Sequence, residues 1–476
     1  MKKNPTELIS SNRLDVFTKT ALARALISKQ DLIWPRNVYL EYLRRIEPKG
    51  GFSEDQKKFS LKDYEKNFEQ LAESVAEQGF DENISKIPIG TLGITNGAHR
   101  LAVCLALGTN PEILESGESD HIYDYRFMKS VGFDDDFLDF TVLEYLKYSS
   151  RVKVICLMGI SNTQSNEILS EVHGMASVIF AKEIFLSRIG GRRIVKTLYG
   201  DNSWWEEELL ENLYLERFSD HNSLITCIFI DEEDIDKVIE VKNRIRLKYA
   251  NSIYSKKIHS TDNSYETIKL GQAVLSKSSI HFLNNAPIGS ESRIIEMVDE
   301  FFDRHSFLHK DKIVFDSGTI LEMYGIRESS DIDYITTEEQ EIPKDFQIKF
   351  DCHNSEYRKF PIAISELVNN PSCFFYCNGY KFMDLSVVSL FKSLRSEIKD
   401  HEDLRKILEL NKSNSIYATV KQQGKAIKHR RRLIVRAFVD SILGYFPNWL
   451  AKVIREIYKQ VRRQIFTILK IRKNYL

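Results

Sequence analysis

One segment constrains this 476-residue chain more than any other. It reads KIVFDSGTILEMYGIRESSDIDYI over residues 312–335. The pattern predicts a strand, a Ser317-Gly318 turn, a short helix, a basic loop and a second strand that carries Asp331 and Asp333. Side chains on a strand alternate between faces, so both carboxylates lie on one face and Ile332 and Tyr334 on the other. Two acids held together in a partly dry site repel each other, and a cation relieves that cost. Oxygen ligands favour Mg²⁺ or Mn²⁺. Such an ion offsets phosphate charge and organises in-line attack at phosphorus. At the Ser317-Gly318 turn, backbone N–H groups can approach phosphate oxygens, and the helix start that follows favours anions. A DxD pair alone also marks solvated turns. The glycine turn, helix and apolar strand around this one are what point to a metal.

In these features the segment resembles the nucleotidyltransferase superfamily, in which an apolar strand and a small-residue pair precede DxD. The form DSGT…GIRESSDID is also similar to the LicD/fukutin-type phosphotransferases of that superfamily, which decorate glycans. The order Ser-Gly departs from the commoner Gly-Gly or Gly-Ser, and the dense acidic run that usually precedes DID is missing. The resemblance implies a third carboxylate on a neighbouring strand, for which Asp351 is the candidate beside Asp331 and Asp333. It also implies a basic helix beside the site. Residues 380–403 resemble that helix, with Lys392, Arg395 and Lys399 spaced to share one face. The same residues could instead form a solvated face paired with Asp400 and Asp403. Asp384 fits the N-cap of this helix better than a metal ligand.

A second motif, Asn96-Gly97-Ala98-His99-Arg100, falls where a strand turns into a helix. Gly97 frees the backbone there, and His99 and Arg100 add charged donors to a helix start, a combination suited to phosphate. Over residues 60–110 this resembles the ParB/sulfiredoxin fold, whose related turn holds nucleotide phosphates. The alternative is a capping His99 and an Arg100 paired with a surface acid.

Length and pattern together predict a multidomain α/β (α+β) protein. A helical plus ParB/sulfiredoxin-like region would span 1–125, an α/β domain of unknown role 126–285, a nucleotidyltransferase-like domain 286–415 and a basic helical tail 416–476. Strands are expected at 152–158, 179–186, 224–230 and 252–259, with a helix over 265–275 capped by Ser260-Thr261-Asp262. Residues 284–292 read as a linker. In the middle third, Gly190-Gly191-Arg192-Arg193, the helix bearing Lys242, Arg244 and Arg246, and His259 could converge on a phosphorylated substrate, or simply face water.

The net charge of −1 conceals an asymmetry, because residues 421–476 carry fifteen Lys or Arg against two acids. Leu450, Ile454, Ile457, Val461, Ile465 and Ile468 recur at helical spacing opposite Lys452, Arg455, Lys459, Arg462, Arg463 and Lys470. That pattern predicts an amphipathic helix on an anionic membrane surface, where each basic residue contributes about 1 kcal/mol. Nucleic acid is the weaker partner, since the aromatics do not interleave with the bases. Six scattered cysteines in no metal-ligand pattern, and the lack of a long apolar run, fit a cytoplasmic protein peripheral to the inner face of the cell membrane. The expected activity is Mg²⁺- or Mn²⁺-dependent nucleotidyl or phosphoryl transfer in surface polysaccharide or lipopolysaccharide assembly. The donor would be a nucleotide or nucleotide-linked compound, and the acceptor a glycan or lipid-linked group. The alternatives are a degenerate fold that binds nucleotide or phosphoglycan without turnover, and a nucleic-acid-modifying nucleotidyltransferase.

Overall fold

Eleven strands form among the residues described by the computed structural model, which are 1–30, 32–46, 60–81, 86–117, 121–218, 223–250, 252–338, 350–395 and 397–413. They build three separate sheets, so the protein is mixed α/β. Strands β1 (Ile87–Ile89) and β2 (Ile113–Glu115) pair in parallel as the smallest sheet.

The second sheet holds β3 (Val152–Met158), β4 (Ser177–Leu186), β5 (Ser223–Asp231) and β6 (Ile258–Ser260) in the order β4-β5-β3-β6, every pair antiparallel. Residues of β3 and β5 are buried almost throughout, as their unbroken apolar sequences require when both faces are covered. Only the last part of the strand expected at 252–259 pairs. The hydroxyls of Ser252 and Ser255 accept from the Tyr254 and Lys257 N–H groups, and these local turns replace the ladder. The next helix, Ser264–Val274, is capped by Asn263, which accepts from Glu266 N at 2.9 Å, rather than by Ser260-Thr261-Asp262.

The third sheet contains β7 (Ile313–Asp316), β8 (Ile332–Thr336), β9 (Phe350–Cys352), β10 (Phe374–Cys377) and β11 (Tyr380–Met383), in the order β10-β11-β7-β8-β9. Here β7 runs antiparallel to β8, while β8 and β9 are parallel.

Residues Met1–Leu408 form one compact unit, and the boundaries expected at 125/126 and 285/286 fall inside it. The stretch that reads as a linker is pinned there. Buried Arg193, on the Arg188–Tyr199 helix, donates to the carbonyls of Ala286 and Pro287 and pairs with Glu291. Glycine is needed where that helix starts, because a Cβ on Gly191 would lie 2.7 Å from the Tyr214 ring. Of the second unit, Glu409–Leu476, the described part is the end of the Ile398–Ser413 helix. The amphipathic pattern at 421–476 lies outside the described residues. Among those residues no helix is long and apolar enough to cross a membrane.

Candidate metal and phosphoryl-transfer site

Three adjacent strands of the five-stranded sheet align three carboxylates at one end. Asp316 closes β7 opposite Asp333 on β8, and Asp333 in turn lies beside Asp351 on β9. Neighbouring strands are about 4.8 Å apart, so this register places the three acids in a row. His353 follows β9 directly and turns its imidazole across the row. Its Nδ1 lies 3.2 Å from Asp316 Oδ1 and its Nε2 3.3 Å from Asp333 Oδ1. The same Nε2 is 3.8 Å from Asp351 Oδ2 and 3.9 Å from Glu356 Oε1. One ligand atom from each of Asp316, Asp333 and His353 falls within 4.8 Å of the other two, and all three residues are buried.

Local sequence explains why Asp333 sits so firmly. Gly318 N donates to its Oδ2 at 3.2 Å, and its own N–H donates to Thr319 Oγ1, also at 3.2 Å. Only glycine permits that approach, since a Cβ on residue 318 would stand 2.7 Å from Ser329 Oγ. Ser317 takes a positive φ of 48° to make the turn.

Burial and the neighbouring Asp316 carboxylate push the Asp333 pKa up to about 7, against the opposing pull of His353. For His353 burial works against the proton, but Asp316, Asp333 and Glu356 outweigh it and raise the pKa to about 9. The contact between His353 Nδ1 and Asp316 has ion-pair distance without hydrogen-bond alignment. Among the described residues, both Asp316 carboxylate oxygens and Ser317 Oγ are buried with no aligned hydrogen-bond partner. Buried polar atoms left in this state are costly, and a cation held by Asp316, Asp333 and His353 would relieve that cost.

The expected residues divide between centre and edge. Asp333 is central, whereas Asp331 lies half-exposed just before β8 and accepts from Ser330 Oγ at 2.8 Å. Asp351 has the right register, but its side chain is 61% exposed. The Ser317-Gly318 turn serves the carboxylate itself, because the Gly318 N–H is directed at Asp333. Lys392 is paired with Asp400 at 3.1 Å and Asp403 at 2.8 Å, but it is buried and not part of a solvated face. Arg395 holds Asp400 at 2.9 Å and reaches Glu356 at 3.5 Å, which places it next to the His353 end of the site. Asp384 caps its helix, accepting from Ser386 N at 2.9 Å.

Gly97, in the left-handed region, opens the Ala98–Leu107 helix as expected. His99 Nε2 lies 3.0 Å from the Tyr39 hydroxyl, and its ring packs edge-on against Tyr39 and Phe68. Arg100 folds beneath Gly97 and donates to the Lys86 carbonyl at 2.7 Å. These contacts tie His99 to the N-terminal helices and Arg100 to the main chain just before β1.

Sequence reasoning passed over Asp316 and His353. The available signals were an acid ending an apolar strand, IVFD, and a histidine two residues after Asp351. Comparison with models of protein families, with curated proteins and with solved structures found no match to this chain.

Proposed function

We propose that the protein is a divalent-cation-dependent nucleotidyltransferase or phosphotransferase. The observation that carries this reading is the alignment of Asp316, Asp333 and Asp351 on adjacent strands, closed by His353. The succession of β7, a turn and short helix, antiparallel β8 and then parallel β9 supports a nucleotidyltransferase-type arrangement for this sheet. It joins the resemblance of residues 312–335 to that superfamily.

Asp316, Asp333 and His353 would hold the cation, with Asp331 and Asp351 at its margin. A nitrogen ligand beside two carboxylates favours Mn²⁺ over Mg²⁺, which prefers an all-oxygen shell. When bound, the ion would offset the charge that develops on a transferring phosphoryl group. The chain's own groups orient the site. The Gly318 N–H and Thr319 hydroxyl fix Asp333, and Asp351, open to solvent beside it, would accept a proton from an attacking hydroxyl. Arg395, which reaches Glu356 at 3.5 Å, would supply a cation on the His353 side.

The ParB/sulfiredoxin-like reading of the NGAHR turn, the nucleotide-linked donor, the glycan or lipid-linked acceptor and a role in surface polysaccharide assembly rest on the resemblances. The test is release of nucleotide or pyrophosphate from nucleotide-linked donors with Mn²⁺ or Mg²⁺. Turnover in the wild type that falls at least about a hundredfold in Asp333→Asn supports the reading. Equal turnover in both rejects it.

One observation favours a second reading. With its pKa raised to about 9, His353 carries a proton at neutral pH and itself compensates two carboxylates. In that case the protein would bind a nucleotide or phosphoglycan without turning it over. Absence of Mn²⁺ binding together with retained nucleotide binding would select it.

A further inference from the structure

The middle of the chain contains a pocket of about 410 Å³ that the three-carboxylate site does not use. Its lining combines two aromatic rings, Tyr199 and Trp204, with three cations, Arg217, Arg246 and Lys256, and with His259. Among the described residues that line it, none is acidic. That volume suits a ligand of mononucleotide size.

The charges of this wall are largely uncompensated. Arg246 spends its donors on main-chain carbonyls, those of Ile258 at 2.6 and 2.9 Å and of Ile253 at 3.1 Å, which orient the guanidinium without neutralising it. Among the described residues no carboxylate lies within ion-pair distance of Arg246 or Lys256. Arg217, almost fully buried, donates to the Leu213 carbonyl at 2.8 Å and stacks 4.5 Å over the Tyr199 ring, and among the described residues its one acid, Glu216, is 3.5 Å away. Like charges gathered in a cavity repel one another, so the arrangement costs free energy unless an anion enters.

His259 marks the centre of this field. Its Nδ1 meets the Tyr199 hydroxyl at 3.1 Å, while its buried Nε2 has no hydrogen-bond partner among the described residues. Burial and then Lys242, Arg217 and Arg246 hold its pKa down at about 3, so it stays neutral and Nε2 can take part in a hydrogen bond. On the open side Trp204 keeps 49% of its surface in solvent and lies 5.8 Å from the Tyr199 ring, centroid to centroid. Exposed indole beside cationic groups is a stacking surface for a planar ring.

We propose that this pocket is a binding site for a phosphorylated small molecule bearing a planar ring, with the phosphate held by Arg246, Lys256 and Arg217 and the ring on Trp204. The site is separate from the Asp316–Asp333–His353 cluster, and the proposal stands whether or not that cluster is catalytic.

Calorimetric titration of the full chain carrying Asp333→Asn, without divalent cations, keeps the two sites apart. The probes are uridine monophosphate, uridine, glucose 1-phosphate and inorganic phosphate. The expected result is saturable binding of uridine monophosphate, at least about tenfold weaker binding of uridine, which lacks the charge-assisted contacts, and weaker binding of the two phosphates without a planar ring. Lys256→Glu and Trp204→Ala alter solvent-accessible positions. Each should weaken the nucleotide at least about tenfold while the melting temperature stays unchanged. No binding of any phosphate probe overturns the proposal, as does nucleotide binding indifferent to both substitutions. Glucose 1-phosphate or inorganic phosphate binding as tightly as the nucleotide would overturn the ring-stacking part.

Discussion

Asp333 holds a proton more firmly than an exposed aspartate does, because burial and the Asp316 carboxylate both act against its charge. Glu144 shows how the same burial can be overcome by partners. Burial alone would raise its pKa, but Arg24 at 2.7 Å and Lys147 at 2.7 Å outweigh it and hold the value at about 2, below the usual 4.5. A carboxylate whose folded pKa lies below its unfolded one contributes stability that is complete above the unfolded value and lost as pH falls through the folded one. Glu144→Gln should therefore cost on the order of 3 kcal/mol at pH 6. That difference from wild type should shrink steadily between pH 4.5 and about 2. Urea melts across this range check it, and a pH-independent difference would contradict the role given to the ion pairs.

At the scale of elements, the site depends on how the Ser317–Met323 helix is fastened to β8. The Thr319 hydroxyl accepts the Asp333 N–H inside the protein, so Thr319→Val leaves a buried donor unpaired. The expected cost is about 1–3 kcal/mol, and Thr319→Ser should restore most of it. Much of this architecture could be read from sequence. The apolar runs of β3 and β5, the helix closed by Gly108 and the strand–turn–helix–strand order around DxD all follow from periodicity and turn chemistry. What could not be read is pairing across the sheet. Asp316 and His353 acquire meaning only when β7, β8 and β9 lie side by side, since 37 residues separate the two in the chain. Periodicity likewise predicts that Lys392 shares a helical face with Arg395. It does not predict that a second helix brings Asp400 and Asp403 over that face and buries it.

Across the whole molecule, Arg193 links the region of the four-stranded sheet to that of the five-stranded one. It stacks 4.5 Å over Phe282, reaches the carbonyls at Ala286 and Pro287, and pairs with Glu291 at 2.9 Å. Arg193→Met would leave Glu291 buried with, among the described residues, only the Lys196 ammonium at 3.7 Å. It should destabilise the 1–408 unit by about 3–5 kcal/mol. Unfolding should remain a single transition if the sheets cooperate, and calorimetry that resolves two transitions would contradict their unity. The central claim concerns the carboxylate row, and titration of Mn²⁺ into the 476-residue wild type and Asp333→Asn tests it most directly. The account predicts one saturable site per chain in the wild type and its loss in Asp333→Asn, with both proteins folded. Identical Mn²⁺ binding by the two, or none by the wild type, would contradict it.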